Sequence, residues 1–127
     1  MADITTELFT LVNNNEYVYY KLLIDNISYF DRFCQEIERL SKEKNALVAI
    51  IGLMEDFSAS LMLPKEKFRQ IKNLSRNDVF EFKKKNVRVY VVKDEQEKTI
   101  YIVMGGLKNN QDKDIEKLKN RIKGFKD

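Results

Sequence analysis

The chain has 127 residues, 43% hydrophobic and 34% charged, with one cysteine, no histidine and a formal net charge of +3. Such a length and apolar content suit one domain over 1–127 that buries its own core without staples. Cys34, with no histidine and no second cysteine, leaves no metal-ligand pair and no Cys/His nucleophile, and reads as a core residue. No apolar run approaches the roughly 20 residues of a membrane span, and the amino terminus lacks a basic, apolar and small-residue leader pattern. The expectation is a cytoplasmic protein with no membrane, metal or cofactor partner.

Charge is unevenly divided. Residues 1–64 carry 5 Lys+Arg against 10 Asp+Glu, whereas residues 65–127 carry 18 against 10. A basic carboxy-terminal half points to a nucleic acid or an acidic protein as its partner.

In chain order, residues 8–12 and 17–24 are rich in apolar, aromatic and β-branched side chains. Asn13, Asn14 and Asn15 between them tolerate the left-handed backbone of a tight turn, so these segments form a hairpin or an edge strand. Ser28 followed by Asp31 resembles a helix cap, and Phe30, Phe33, Cys34, Ile37 and Leu40 then recur at helical spacing, predicting an amphipathic helix over 29–42. Asn45 can cap a second helix over 46–57, with Leu47, Ile50, Ile51, Met54 and Phe57 in one stripe that Val48 and Leu53 widen. The short link at 43–45 implies an antiparallel helical hairpin. Residues 58–64 break the pattern at Pro64. In the segment that follows, Lys65, Lys67, Arg69, Lys72 and Arg76 surround Phe68, Ile71 and Leu74, a basic approach to a sheet.

Residues 77–125 read as three strands and a closing helix. Phe80 and Phe82, then Val87, Val89 and Val91, then Ile100, Ile102 and Met104 alternate onto one side, the core face. Polar breaks at 84–86 and 94–98 are short enough for antiparallel hairpins. The other side carries Glu81, Lys83, Arg88, Tyr90 and Tyr101, with Val92 and Val103 among them. Two cations and two phenols against one carboxylate look like a surface for phosphates and bases. Gly105 and Gly106 mark a bulge or a strand end. Asp112 can cap a helix with Ile115, Leu118, Ile122 and Phe125 inward and Lys113, Lys117, Lys119 and Lys123 outward.

The segments KFRQIKNL, VFEFKKKNVRVYVV and TIYIVMGGLKNNQDKDIEKLKNRIKGF, preceded by two helices, resemble the RelE/HigB superfamily of toxin–antitoxin ribonucleases, its phage-derived HigB-like branch above all. The motifs cover about 65–125 and the element order the whole chain. The fold class so implied is α+β: an N-terminal strand or hairpin and a helical hairpin packed on a curved antiparallel sheet, closed by a C-terminal helix, with the concave sheet face as the working surface. The function so implied is metal-independent cleavage of messenger RNA, usually on the ribosome, by a toxin held in check by a cognate antitoxin. By resemblance Lys83, Arg88 and Lys108 are the catalytic positions. Arg69, Lys72, Arg76 and Lys85 add RNA contacts from the basic surface, and Tyr90 and Tyr101 join them from strand geometry. Several similar proteins carry a tyrosine in the first turn of the last helix, where this chain reads Asp112, Lys113, Asp114 and Ile115.

In that chemistry the RNA 2′-hydroxyl attacks the adjacent phosphate. The protein must orient the chain, stabilise added negative charge and move two protons. Without histidine, proton transfer falls to Lys or Tyr, whose reference pKa values near 10 have to fall by about 3 units, roughly 4 kcal/mol of differential interaction. The alternative is a catalytically inactive relative whose basic face binds RNA or a partner protein.

Overall fold

A computed structural model describes residues 2–58 and 63–126. The break expected at 58–64 therefore lies largely outside the described residues. Six strands form one sheet in the order β1-β2-β6-β5-β4-β3: β1 Ile4–Leu8, β2 Val18–Ile24, β3 Phe68–Gln70, β4 Val79–Lys84, β5 Val87–Asp94 and β6 Thr99–Leu107. All neighbours are antiparallel except β2 and β6, which run parallel and are joined through the helical pair α1 (Tyr29–Glu36) and α2 (Ser41–Asp56) and then β3, β4 and β5. The class is α+β, with α3 (Gln111–Arg121) closing the chain after a short 3-10 turn at Lys108–Asn110.

The amino-terminal hairpin is present, but β1, Ile4–Leu8, meets the expected 8–12 only at Leu8. Asn14 does not sit at a left-handed turn. Its Nδ2 donates to the carbonyls of Met54, Glu55 and Phe57 at 3.0, 2.8 and 2.8 Å, so the side chain closes the C-terminus of α2. Tyr19 Oη donates to the Met54 carbonyl as well, at 3.0 Å. Ser28 caps α1 as expected, its Oγ accepting from Asp31 N at 3.1 Å. The helix ends sooner than the stripe implied: Ile37 is its C-terminal cap and α2 starts at Ser41, so the link lies near 37–40 and not at 43–45. Ile37 remains buried on the core while Leu40 turns outward. Val48, expected to widen the α2 stripe, is 62% exposed.

Each sheet face is covered. On one, α1 and α2 bury Phe82, Val87, Val89, Val91, Ile100 and Ile102 together with Phe30, Phe33, Ile50 and Met54. On the other, Leu118 of α3 and its C-terminal cap Ile122 pack on Val79, Tyr90, Val92, Val103 and Met104. A bulge explains why Met104 parts from Ile100 and Ile102: Tyr90 pairs with Met104 and Val91 with Ile102, so Val103 is the extra residue and the alternation shifts by one. Past the bulge the two glycines let both layers approach. A Cβ on Gly105 would strike the Phe33 ring of α1, and one on Gly106 the Asp114 carboxylate of α3.

Candidate nucleic-acid interface

The sheet side expected to be an open basic face is closed by α3. Tyr90 is fully buried, its hydroxyl without a hydrogen-bond partner among the described residues. Burial, then the charges of Glu81 and Asp114, push its pKa up, so this phenol is neither a contact for RNA nor a base. Arg88 is 5% exposed. Its Nη1 donates to the carbonyls of Lys85 and Val87 at 2.7 and 3.0 Å, and its Nε lies 3.3 Å from Glu81 Oε1, off the line of a hydrogen bond. The expected direct contact of Arg88 with phosphate is thereby corrected: the guanidinium is a fixed charge in the wall.

The anchor is Glu81, fully buried beneath the start of α3. Its Oε2 accepts from Arg69 Nη2 at 2.8 Å and its Oε1 from Gln111 Nε2 at 3.0 Å. One carboxylate thus gathers a cation from the edge strand β3, a cation from β5 and the first residue of α3. A buried carboxylate persists only with such partners.

Around this anchor the end of the sheet is basic. Lys83 lies directly opposite Arg88, which lies opposite Gly106. Lys85 occupies the two-residue β4–β5 turn with φ 52°, and its carbonyl is the one that holds Arg88. Lys108 N donates to the Asn86 carbonyl at 2.8 Å, which ties the end of β6 to the same turn. Lys67 joins through its carbonyl, an acceptor for Lys83 N at 2.8 Å. Lys85 and Lys108 are exposed and Lys83 is half-buried. Desolvation, then the charge of Arg69, lowers the Lys83 pKa from its usual range, with Arg88 acting in the same direction and Glu81 opposing.

Beside this end, wrapping the β3 edge, opens a cavity of about 950 Å³ whose lining includes Lys65, Arg69, Lys72, Phe68, Phe80 and Lys93. Phe68 and Phe80 stack with centroids 4.9 Å apart and planes within 3°, and Lys93 Nζ sits 4.7 Å above the Phe80 centroid. Glu81, Glu95 and Asp112 line the same cavity and Phe68 is buried, so the half-buried Phe80 and the cations beside it are the groups that can take a base and its phosphate. Phe80 and Lys93 were missed by the sequence reading, although their alternation with core residues and the basic run at 65–72 were visible.

The expected site residues therefore separate. Lys83, Arg88, Lys108, Lys85 and Arg69 converge, and Lys72 reaches the cavity. Arg76 lies at the opposite end of β4, paired with Asp78 at 2.8 Å and donating to the Phe125 carbonyl at 2.7 Å, so it braces the chain end and is corrected as an RNA contact. Tyr101 stacks on Tyr20 at 6.1 Å and meets Phe125 edge-on at 5.1 Å, also away from the basic end. Cys34 is half-buried and its thiol is pushed up to about 11 by burial, which keeps it protonated and unreactive near neutrality. No cluster of three or more His, Cys, Asp or Glu is placed to hold a metal among the described residues, nor is any helix among them long and apolar enough to cross a membrane.

No family model, no curated protein and no solved structure matches the chain.

Proposed function

We propose that the chain is the toxin of a type II toxin–antitoxin pair, of RelE/HigB type, which grips messenger RNA, bound on the ribosome, at the basic end of its sheet and cleaves it without a metal. The observation that carries this reading is the convergence of Lys83, Lys85, Lys108 and Arg69 on one exposed end, around the buried Glu81 and Arg88. The order of elements, a hairpin, two helices, the antiparallel run β3 to β6 and a last helix, supports it. Exposed cations there meet the phosphates, and Phe80, half-buried and backed by the buried Phe68, is the ring of the pair open to a base.

Lys83 is the group whose surroundings suit proton transfer, because desolvation and two nearby guanidiniums lower its proton affinity. In the proposed step neutral Lys83 takes the 2′-hydroxyl proton, the 2′-oxygen bonds to phosphorus and the bond to the 5′-oxygen breaks. A neighbouring ammonium, Lys85 or Lys108, gives that oxygen its proton, leaving a 2′,3′-cyclic phosphate and a 5′-hydroxyl. Arg88 serves from within the wall, through its field on Lys83. A cognate antitoxin is the protein partner this reading implies.

The second reading is RNA binding without cleavage. It is favoured by the burial of Arg88 and Tyr90, which removes two groups that a nuclease face could have used. Mapping RNA 5′ ends after inducible expression separates the two. Cleavage predicts new 5′-hydroxyl ends in reading frames with the native chain and none with Lys83→Ala or with Lys83→Arg, which keeps the charge but holds its proton. RNA capture without new ends selects the second reading. A chain that neither cuts nor captures RNA sinks both.

A further inference from the structure

Among the described residues the outer edge of β1 pairs with no other strand and lies apart from the basic end. It bounds the sheet on the side away from β3, and Thr5, Thr6, Glu7 and Leu8 are all exposed. The hydrogen bonds that bracket the hairpin, Phe9 N to the Tyr19 carbonyl at 2.9 Å and Asp25 N to the Asp3 carbonyl at 2.8 Å, fix its phase. In an antiparallel ladder alternate residues turn their N–H and C=O toward the partner strand. Asp3, Thr5, Glu7 and Phe9 therefore face β2, and Ile4, Thr6 and Leu8 present their peptide groups to solvent.

Edge strands usually carry a lysine, a proline or a bulge that discourages pairing. ITTEL carries none of these; its one charge, Glu7, is paired with Lys21 of β2 at 3.1 Å, and its register with β2 is uninterrupted. Leu8 is 52% exposed, and Val18 on the next strand is 46% exposed.

We propose that this edge pairs with the β1 edge of a second copy of the chain, antiparallel about a two-fold axis through Thr6. Thr6 then exchanges both peptide hydrogen bonds with Thr6 of the other copy, and Ile4 does so with Leu8, which matches all the outward groups. Side chains agree with that register. Ile4 and Leu8 form apolar cross-strand pairs, and Glu7, the one charge on the strand, meets Thr5 instead of another Glu7. Sliding the copies to centre on Glu7 sets two carboxylates opposite each other and leaves Ile4 unmatched, and centring on Thr5 sets Glu7 opposite Asp3, so charge disfavours both neighbouring registers. The result is one continuous sheet through both copies, with the two basic ends on its far flanks.

The test is sedimentation of the full chain over a concentration series. The native chain should move from its 15.1 kDa monomer mass toward twice that value as concentration rises. Thr6→Pro removes only an outward N–H, a substitution that an edge strand tolerates, and Thr6→Lys sets two ammoniums at the axis. Both should remain monomers at every concentration while keeping the native circular dichroism and melting curve. Register is read in a Cys34→Ala background: Thr6→Cys should oxidise to a covalent dimer, whereas Glu7→Cys should cross-link only to a copy carrying Thr5→Cys. A native chain that stays monomeric overturns the proposal, as does a dimer indifferent to both Thr6 variants or a Glu7→Cys chain that cross-links to itself. A monomer that captures extended peptides along this edge also overturns it, since the occupant would then be another protein.

Discussion

At the scale of single residues, Glu81 decides whether the basic end exists. Removing one member of a buried ionic group leaves its partners charged and unmatched, at about 3–5 kcal/mol. Glu81→Ala is therefore expected to lose stability of that size in urea unfolding, and to loosen Arg69 and Gln111 together. A loss of less than about 1 kcal/mol would show that Arg69 and Arg88 find water or other partners. Asp114, packed over Gly106, works in the opposite sense. Burial raises its pKa, with Lys117 and Arg121 only partly offsetting this. The folded state then holds the proton at pH values where the unfolded chain has released it, so stability falls as pH rises through and above the usual carboxylate range. Asp114→Asn cannot ionise: it should equal the native chain in acid and exceed it near neutrality, as unfolding midpoints at the two pH values would reveal. Alternation in the sequence put Glu81, Arg88 and Tyr90 on one side of the sheet. A cross-strand contact between Glu81 and Arg88 was legible there as a surface pair; that it would lie buried beneath a helix was not.

At the scale of elements, the strands of the meander and the inward stripe of α3 were legible, because period 2 and period 3.6 are written in the order of apolar residues. Boundaries set by distant contacts were not. The turn at 37–40 depends on burying Ile37 while releasing Leu40, and the end of α2 depends on Asn14, some forty positions earlier in the chain. Asn14→Ala should cost about 1–3 kcal/mol, since it strands carbonyls at the end of a helix. Thermal melts should show the loss, and Asn14→Asp, which cannot donate, should be no better. The face that α3 covers was equally hidden: its stripe needed an apolar surface, and Val79, Val92, Val103 and Met104 supply one only after the bulge brings Met104 to that side. Gly105 tests the layer on the opposite face. Gly105→Ala forces the Phe33 ring aside and should destabilise by about 1–3 kcal/mol, as overpacked cores do.

For the whole molecule, two covered faces leave the sheet only its ends and edges for contact with other molecules. That is why a chain whose basic half suggested an open concave surface instead concentrates accessible charge at the β4–β5 turn, the start of the 3-10 turn and the β3 edge. Composition gave the sign of this surface, while the fold gave its place. Local placement and bulk charge make different predictions for RNA binding. A site that neutralises phosphates loses affinity with rising salt in proportion to the contacts it makes, by nearly one unit of logarithmic slope for each contact on a duplex and about 0.7 on a single strand. The direct measurement is the salt dependence of single-stranded RNA binding by the native chain and two charge-matched variants. One replaces Lys83, Lys85 and Lys108 with Gln, and the other replaces Lys119, Lys123 and Lys126 with Gln at the end of α3 and beyond. The account predicts that the first loses most of its affinity and about two units of slope while the second retains both; equal losses in the two variants would contradict it.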